Sequence, residues 1–218
     1  TVEDRTAPVV TTSFTVNNGF FAYTFPGYRV DAVTGPHDCF AHVCVDPVNT
    51  DDCSQVTQFY SLSYKDPYKP GSVKVYSGNP KECFDLPAIP NNSSIISDYS
   101  FIDQLKDFEM PRHCYIAKIS TSDACYNSTS FSFKAKNLMN GKVEESDPRN
   151  EFSALALICV TDNTPPAPVC DEVTQTTIDP QTCWSRIYAS DLDNGSRDNC
   201  CDVLHFAVAS VFDSQWTK

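Results

Sequence analysis

The chain has 218 residues and a formal net charge of −12, from 28 acidic against 16 basic side chains. Apolar residues make up 41% and charged residues 20%, enough to build a core and too apolar for a disordered chain. A negative field of this size repels phosphate backbones, which argues against nucleic acid as a partner, and no run approaches the ~20 apolar residues of a membrane-spanning helix.

Thr1-Val2-Glu3-Asp4 lacks the basic start and apolar stretch of a signal peptide, so the sequence reads as already processed or cut from something longer. Residues 12–16, 20–25, 40–45 and 56–62 then alternate apolar with polar side chains, as half-buried strands do. Residues 72–76, 114–119 and 130–135 continue the pattern, rich in β-branched and aromatic residues. Turn-forming pairs Pro26-Gly27, Asp66-Pro67, Pro70-Gly71 and Asn79-Pro80 separate these runs. Between residues 98 and 109, Phe101, Ile102, Leu105 and Phe108 fall at helical spacing behind Ser97, a candidate N-cap. A further strand over residues 152–161 runs into Asp162-Asn163-Thr164-Pro165-Pro166-Ala167-Pro168, whose prolines stiffen a short extended connection.

The phrase Asp4-Arg5-Thr6-Ala7-Pro8 near the start echoes Asp162-Asn163-Thr164-Pro165-Pro166, so the unit repeats. The expected organisation is therefore a tail of a preceding module, linker or exchanged strand over residues 1–7 and a β-sandwich over 8–161 with an insertion at about 77–113. A Pro-rich linker over 162–168 and a partial module over 169–218 complete it. The fold class is all-β: immunoglobulin-like β-sandwich modules, one short helix in a long connection, and a second module that is incomplete.

Eleven cysteines without a single Cys-x-x-Cys spacing point to an oxidising, extracellular compartment. The count is odd, so at least one is free or bonded outside the chain. Asn91, Asn92, Asn127 and Asn194 each open an Asn-x-Ser/Thr sequon and are candidate glycosylation sites. His37, Cys39, His42 and Cys44 suggest zinc at first sight. On a strand, however, His37 and Cys39 take one face and His42 and Cys44 the other, so disulfides are the expected use of these cysteines.

Asp162-Asn163-Thr164-Pro165-Pro166-Ala167-Pro168-Val169-Cys170-Asp171-Glu172, together with Asp191-Leu192-Asp193-Asn194-Gly195-Ser196-Arg197-Asp198-Asn199-Cys200, resembles the hyalin-repeat-like modules of very large surface proteins. It is similar in the same way to the tandem immunoglobulin-like modules of Bacteroidota extracellular adhesins and surface filaments. The likeness covers roughly residues 160–211 and the echo near the start. The resemblance implies sandwiches strung into stalks outside the cell, with structural or adhesive roles and no chemistry.

Within this stretch Cys170 opens a strand and Cys200 closes the loop, so Cys170–Cys200 is the favoured bridge, with Cys183–Cys201 second. Adjacent Cys200 and Cys201 are expected to take separate partners. Asp191, Asp193, Asn194, Ser196 and Asp198 crowd oxygens around Gly195, as Ca²⁺ prefers, against the alternative of a solvated Asx-rich turn. No Gly-x-Ser-x-Gly, His-Glu-x-x-His or glycine-rich phosphate loop occurs, and the chain is read as non-enzymatic and free of other cofactors. The expected partners are copies of itself or adjoining modules. The alternative is a glycan- or protein-binding module of a secreted protein, with a host or surface ligand.

Overall fold

A computed structural model describes residues 4–44, 49–51, 55–65, 67, 73–78, 83–89, 114–172, 174–200 and 204–207. The chain divides into two units, Thr1–Gly35 with Cys39–Asp162, and Pro36–Asp38 with Asn163–Lys218.

Among the described residues the first unit is all-β. Its strands are β1 (Val9–Val10), β2 (Ser13–Asn17), β3 (Phe21–Val33), β4 (Phe40–Cys44), β5 (Asn49–Thr50) and β6 (Thr57–Lys65). They are followed by β7 (Val73–Gly78), β8 (Cys83–Pro87), β9 (Cys114–Ser122), β10 (Lys134–Asn137), β11 (Val143–Glu145) and β12 (Ala154–Thr161). The main sheet runs β11-β10-β3-β12-β9-β6-β7, with β2 also paired to β3, while β4–β8 and β1–β5 form two-stranded ribbons.

Strand β3 serves two partner sets. Its first half pairs antiparallel with β2 and β10, and from Gly27 onward it pairs parallel with β12. Pro26-Gly27, expected as a turn, therefore lies inside a 13-residue strand. Proline withholds a ladder donor there, and Gly27, at φ +123, adopts a backbone conformation that a side chain would oppose. The pair redirects a strand instead of ending it.

This change of partners makes the arrangement sandwich-like. Phe25 and Tyr23 of β3, Val16 of β2 and Phe133 just before β10 share a core with Leu155 and Leu157 of β12. The rings of Phe25 and Phe133 lie 5.4 Å apart, and those of Phe131 and Phe152 4.6 Å apart. On the opposite face, Tyr115 of β9 donates its hydroxyl to the Pro87 carbonyl of β8 at 2.6 Å. The first seven residues of β12 are all buried, which is why that segment reads as an unbroken apolar run without alternation.

Two disulfides join register partners on neighbouring strands: Cys44–Cys83 across β4 and β8, and Cys114–Cys159 across β9 and β12. Strand β8 falls inside the stretch expected to be an excursion, so part of it is built into the unit through β4. The run expected over 130–135 becomes strand only from Lys134, with Phe131 in an isolated bridge to Arg149. The helix expected over 98–109 lies outside the described residues.

The second unit holds bridges Ala167↔Arg197 and Cys170↔Asp193 and a short 3₁₀ turn, Ala189–Leu192. Cys200 is its one buried side chain among the described residues. Turns joined by side-chain-to-backbone hydrogen bonds hold it. Asn199 Nδ2 donates to the Asp38 carbonyl at 3.0 Å, and Asp179 accepts from the Gln181 and Thr182 N–H groups.

Candidate functional site

The two ends of the first unit are defined by β12 and its neighbours. Strand β9 is antiparallel to β12, so Ser122 at the end of β9 lies beside the start of β12. There Thr121 and Ser153 share a hydroxyl hydrogen bond of 2.8 Å, and Ser153 Oγ donates to the Thr129 carbonyl. Thr129 in turn donates to the Pro8 carbonyl, and Asn127 Nδ2 donates to the Asp4 carbonyl at 3.1 Å. Residues 4–8 are thus tied to this end, within the first unit. At the other end, Thr34 N donates to the Thr161 carbonyl and Thr34 Oγ1 to Asp162 Oδ1 at 3.0 Å. The eight residues of β12 separate the two ends by about 25 Å.

Three carboxylates from distant parts of the chain meet at the first end. An oxygen from each of Asp4, Asp51 and Asp123 lies within 4.8 Å of the others. Asp4 precedes β1, Asp51 follows β5, and the pairing of β1 with β5 brings them together; Asp123 follows β9. Asp123 is 3% exposed. Burial works to raise its pKa, but the Asn127 side chain and the N–H groups of Asn127 and Cys125 outweigh burial, so the carboxyl is held below its ordinary value. Its members lie far apart in sequence, so no spacing motif marks the set. The recurring Asp-x-Thr phrase around Asp4 was the available signal.

The residues expected to hold calcium do not converge in this way. Asp191 Oδ2 accepts from the Tyr188 N–H at 2.9 Å and Asp193 Oδ1 from the Ser196 N–H at 2.8 Å. Asn194 is exposed and donates its N–H to the Val169 carbonyl. With Asp198, these carboxylates do not gather within a shared coordination distance. Asp191 and Asp193 each close a local turn, whereas Asp198 Oδ1 is buried and accepts from no donor.

The expected bridges Cys170–Cys200 and Cys183–Cys201 do not form. Cys170 and Cys183 are exposed thiols, and Cys200 is disulfide-bonded elsewhere. Cys170 is engaged by its backbone in the bridge to Asp193, and Cys183 adopts φ 60 in the turn closed onto Asp179; Cys201 lies outside the described residues. Cys125 is also an exposed thiol. The four-residue zinc set fails because Cys39 and Cys44 are in disulfides, while His42 Nδ1 pairs with Asp85 Oδ1 at 2.9 Å.

Of the sequons, Asn127 is partly buried and donates its Nδ2 to both Asp123 Oδ2 and the Asp4 carbonyl. Asn194 is exposed, and Asn91 and Asn92 lie outside the described residues. No helix among the described residues is long and apolar enough to cross a membrane.

Comparison with protein-family models, with curated proteins and with solved structures finds no match.

Proposed function

We propose that the chain is a non-enzymatic structural or adhesive module of an extracellular filament or stalk, joined to copies of itself or to adjoining modules. One observation carries this reading. Asp4 is bound near the start of β12 and Asp162 near its end, so the two ends of the first unit's chain lie at opposite ends of this strand, which suits units joined in series. Cross-strand disulfides suit an oxidising exterior and fix strands against one another. Assembly by strand exchange has a route at β7, which pairs only with β6 among the described residues. The other terminal strand, β11, is three residues long and bears the Lys142–Glu144 pair at its margin, features that discourage edge pairing.

Negative-stain electron microscopy of unreduced protein, with sedimentation over a concentration series, tests this reading. Fibres or end-to-end oligomers support it. Compact monomers at every concentration count against assembly by exchange.

A second reading, a glycan- or protein-binding module, draws on one exposed patch. Phe20, Leu138 and Met139 are 64%, 47% and 83% exposed, and Leu138 donates its N–H to the Phe20 carbonyl. Two hairpin turns thus present three large apolar side chains together. A glycan array and surface crosslinking with Phe20→Ser as control test it; no ligand lost with that substitution removes the reading.

A further inference from the structure

The geometry points to a calcium site at the Asp4 end of the first unit, built from Asp4, Asp51 and Asp123 with Gln58 beside them. The inference concerns this cluster alone and holds whether or not the chain serves in a filament.

Three carboxylate oxygens drawn from three segments lie within 4.8 Å of one another. Oxygens bound to a single Ca²⁺ at 2.3–2.6 Å can stand no more than about 5 Å apart, so the spacing suits a shared ion. A divalent cation supplies the positive charge that three gathered carboxylates match.

Buried polar atoms point the same way independently. Asp4 Oδ1 accepts from the Thr6 N–H, whereas Asp4 Oδ2 is wholly enclosed and accepts from no donor. Gln58 is 5% exposed, and neither its Oε1 nor its Nε2 meets a hydrogen-bond partner. Gln58 pairs in register with Thr121, which puts it on the same face of the sheet as Asp123, at the diagonal distance a long side chain spans. A buried amide left unmatched costs stability unless something satisfies it, and an amide oxygen is a ligand calcium accepts.

The oxygen-only donor set favours a hard cation over zinc. Its assembly from separate loops favours calcium, which tolerates irregular coordination, over magnesium, which demands a near-ideal octahedron. A bound ion would tie Asp4 to Asp51 and Asp123 and so fix the leading segment to the body of the unit.

The test uses the intact, unreduced chain, titrated with CaCl₂ by isothermal calorimetry and with Tb³⁺ by luminescence, with MgCl₂ as comparison. Asp51→Asn and Asp4→Asn are the variants, because both leave the Asp123 turn intact; Asp193→Asn is the control. The expected result is one calcium per chain with a dissociation constant of about 10⁻⁴–10⁻³ M, weakened at least about tenfold in both variants and unchanged in the control. Absence of uptake at about 10 mM calcium overturns the site. So does uptake that survives both substitutions, or that is lost with Asp193→Asn, which would place the ion in the C-terminal loop.

Discussion

Gly27 and Leu155 are register partners in the parallel ladder between β3 and β12, and a Cβ on Gly27 would stand 1.8 Å from the Leu155 carbonyl oxygen. That contact is with backbone, which cannot turn aside, and φ at Gly27 is +123. Gly27→Ala is therefore expected to cost at least about 3 kcal/mol or to prevent folding. Gly141→Ala, where nothing lies within 4 Å and φ is +74, should cost only the strain of a left-handed residue, about 1 kcal/mol. Urea unfolding of the two variants measures the difference.

The Cys114–Cys159 bridge lies in the core, its two cysteines 3% and 4% exposed, and closes a separation of 45 residues. Replacing both by Ala is expected to lower stability by about 2–4 kcal/mol. Cys44–Cys83 is solvent-facing and should be the first of the two to react with a mild reductant. Timed alkylation followed by peptide mass mapping gives the order.

In the second unit, Asp193 is held below its ordinary pKa of 3.8 first by the Ser196 side chain and then by the Ser196 N–H. Because the folded value is the lower one, the stabilisation is fully present above 3.8 and is lost as pH falls through the folded pKa. Ser196→Ala should move the Asp193 pKa upward only part of the way, since the backbone donor remains. Carbon-detected NMR titration of the Asp193 carboxyl reads the shift.

Much of this architecture was legible in the sequence, and the exceptions have physical causes. Alternation marked β2, β4 and β6 because each has one buried face, and the unbroken run of β12 marked a strand covered on both. Pro26-Gly27 misled because a local turn signal and a strand that changes partners use the same residues; only Leu155, far along the chain, tells them apart. Strand β8 was missed because Cys83-Phe84-Asp85-Leu86-Pro87 is short and set among turn formers, and depends on β4 for its partner. The acidic site illustrates the same limit. The run from Asp191 to Asp198 is dense in sequence, yet Asp191 and Asp193 serve local turns, whereas Asp4, Asp51 and Asp123 gather only through the pairing of β1 with β5 and the end of β9.

Glycan attachment separates the described sequons. At Asn127 both hydrogens of Nδ2 are engaged, by Asp123 Oδ2 and by the Asp4 carbonyl, and a sugar would replace one of them. Asn194 stands exposed beside Gly195. Expression through a eukaryotic secretory pathway should give folded protein modified at Asn194 and unmodified at Asn127, as glycopeptide mapping would show.

The most direct test of a load-bearing module in series is single-molecule pulling between residues flanking the first unit. Force applied along β12 shears it against β3 and β9 together, with the six ladder pairs to β9 backed by the Cys114–Cys159 bond. The predicted result is a discrete unfolding event under oxidising conditions. Reduction should then lengthen the extension by at least about 28 nm, as the 39- and 45-residue separations closed by the two bridges are released at ~3.3 Å per residue. Smooth extension without a resisted step, or an identical length before and after reduction, would contradict it.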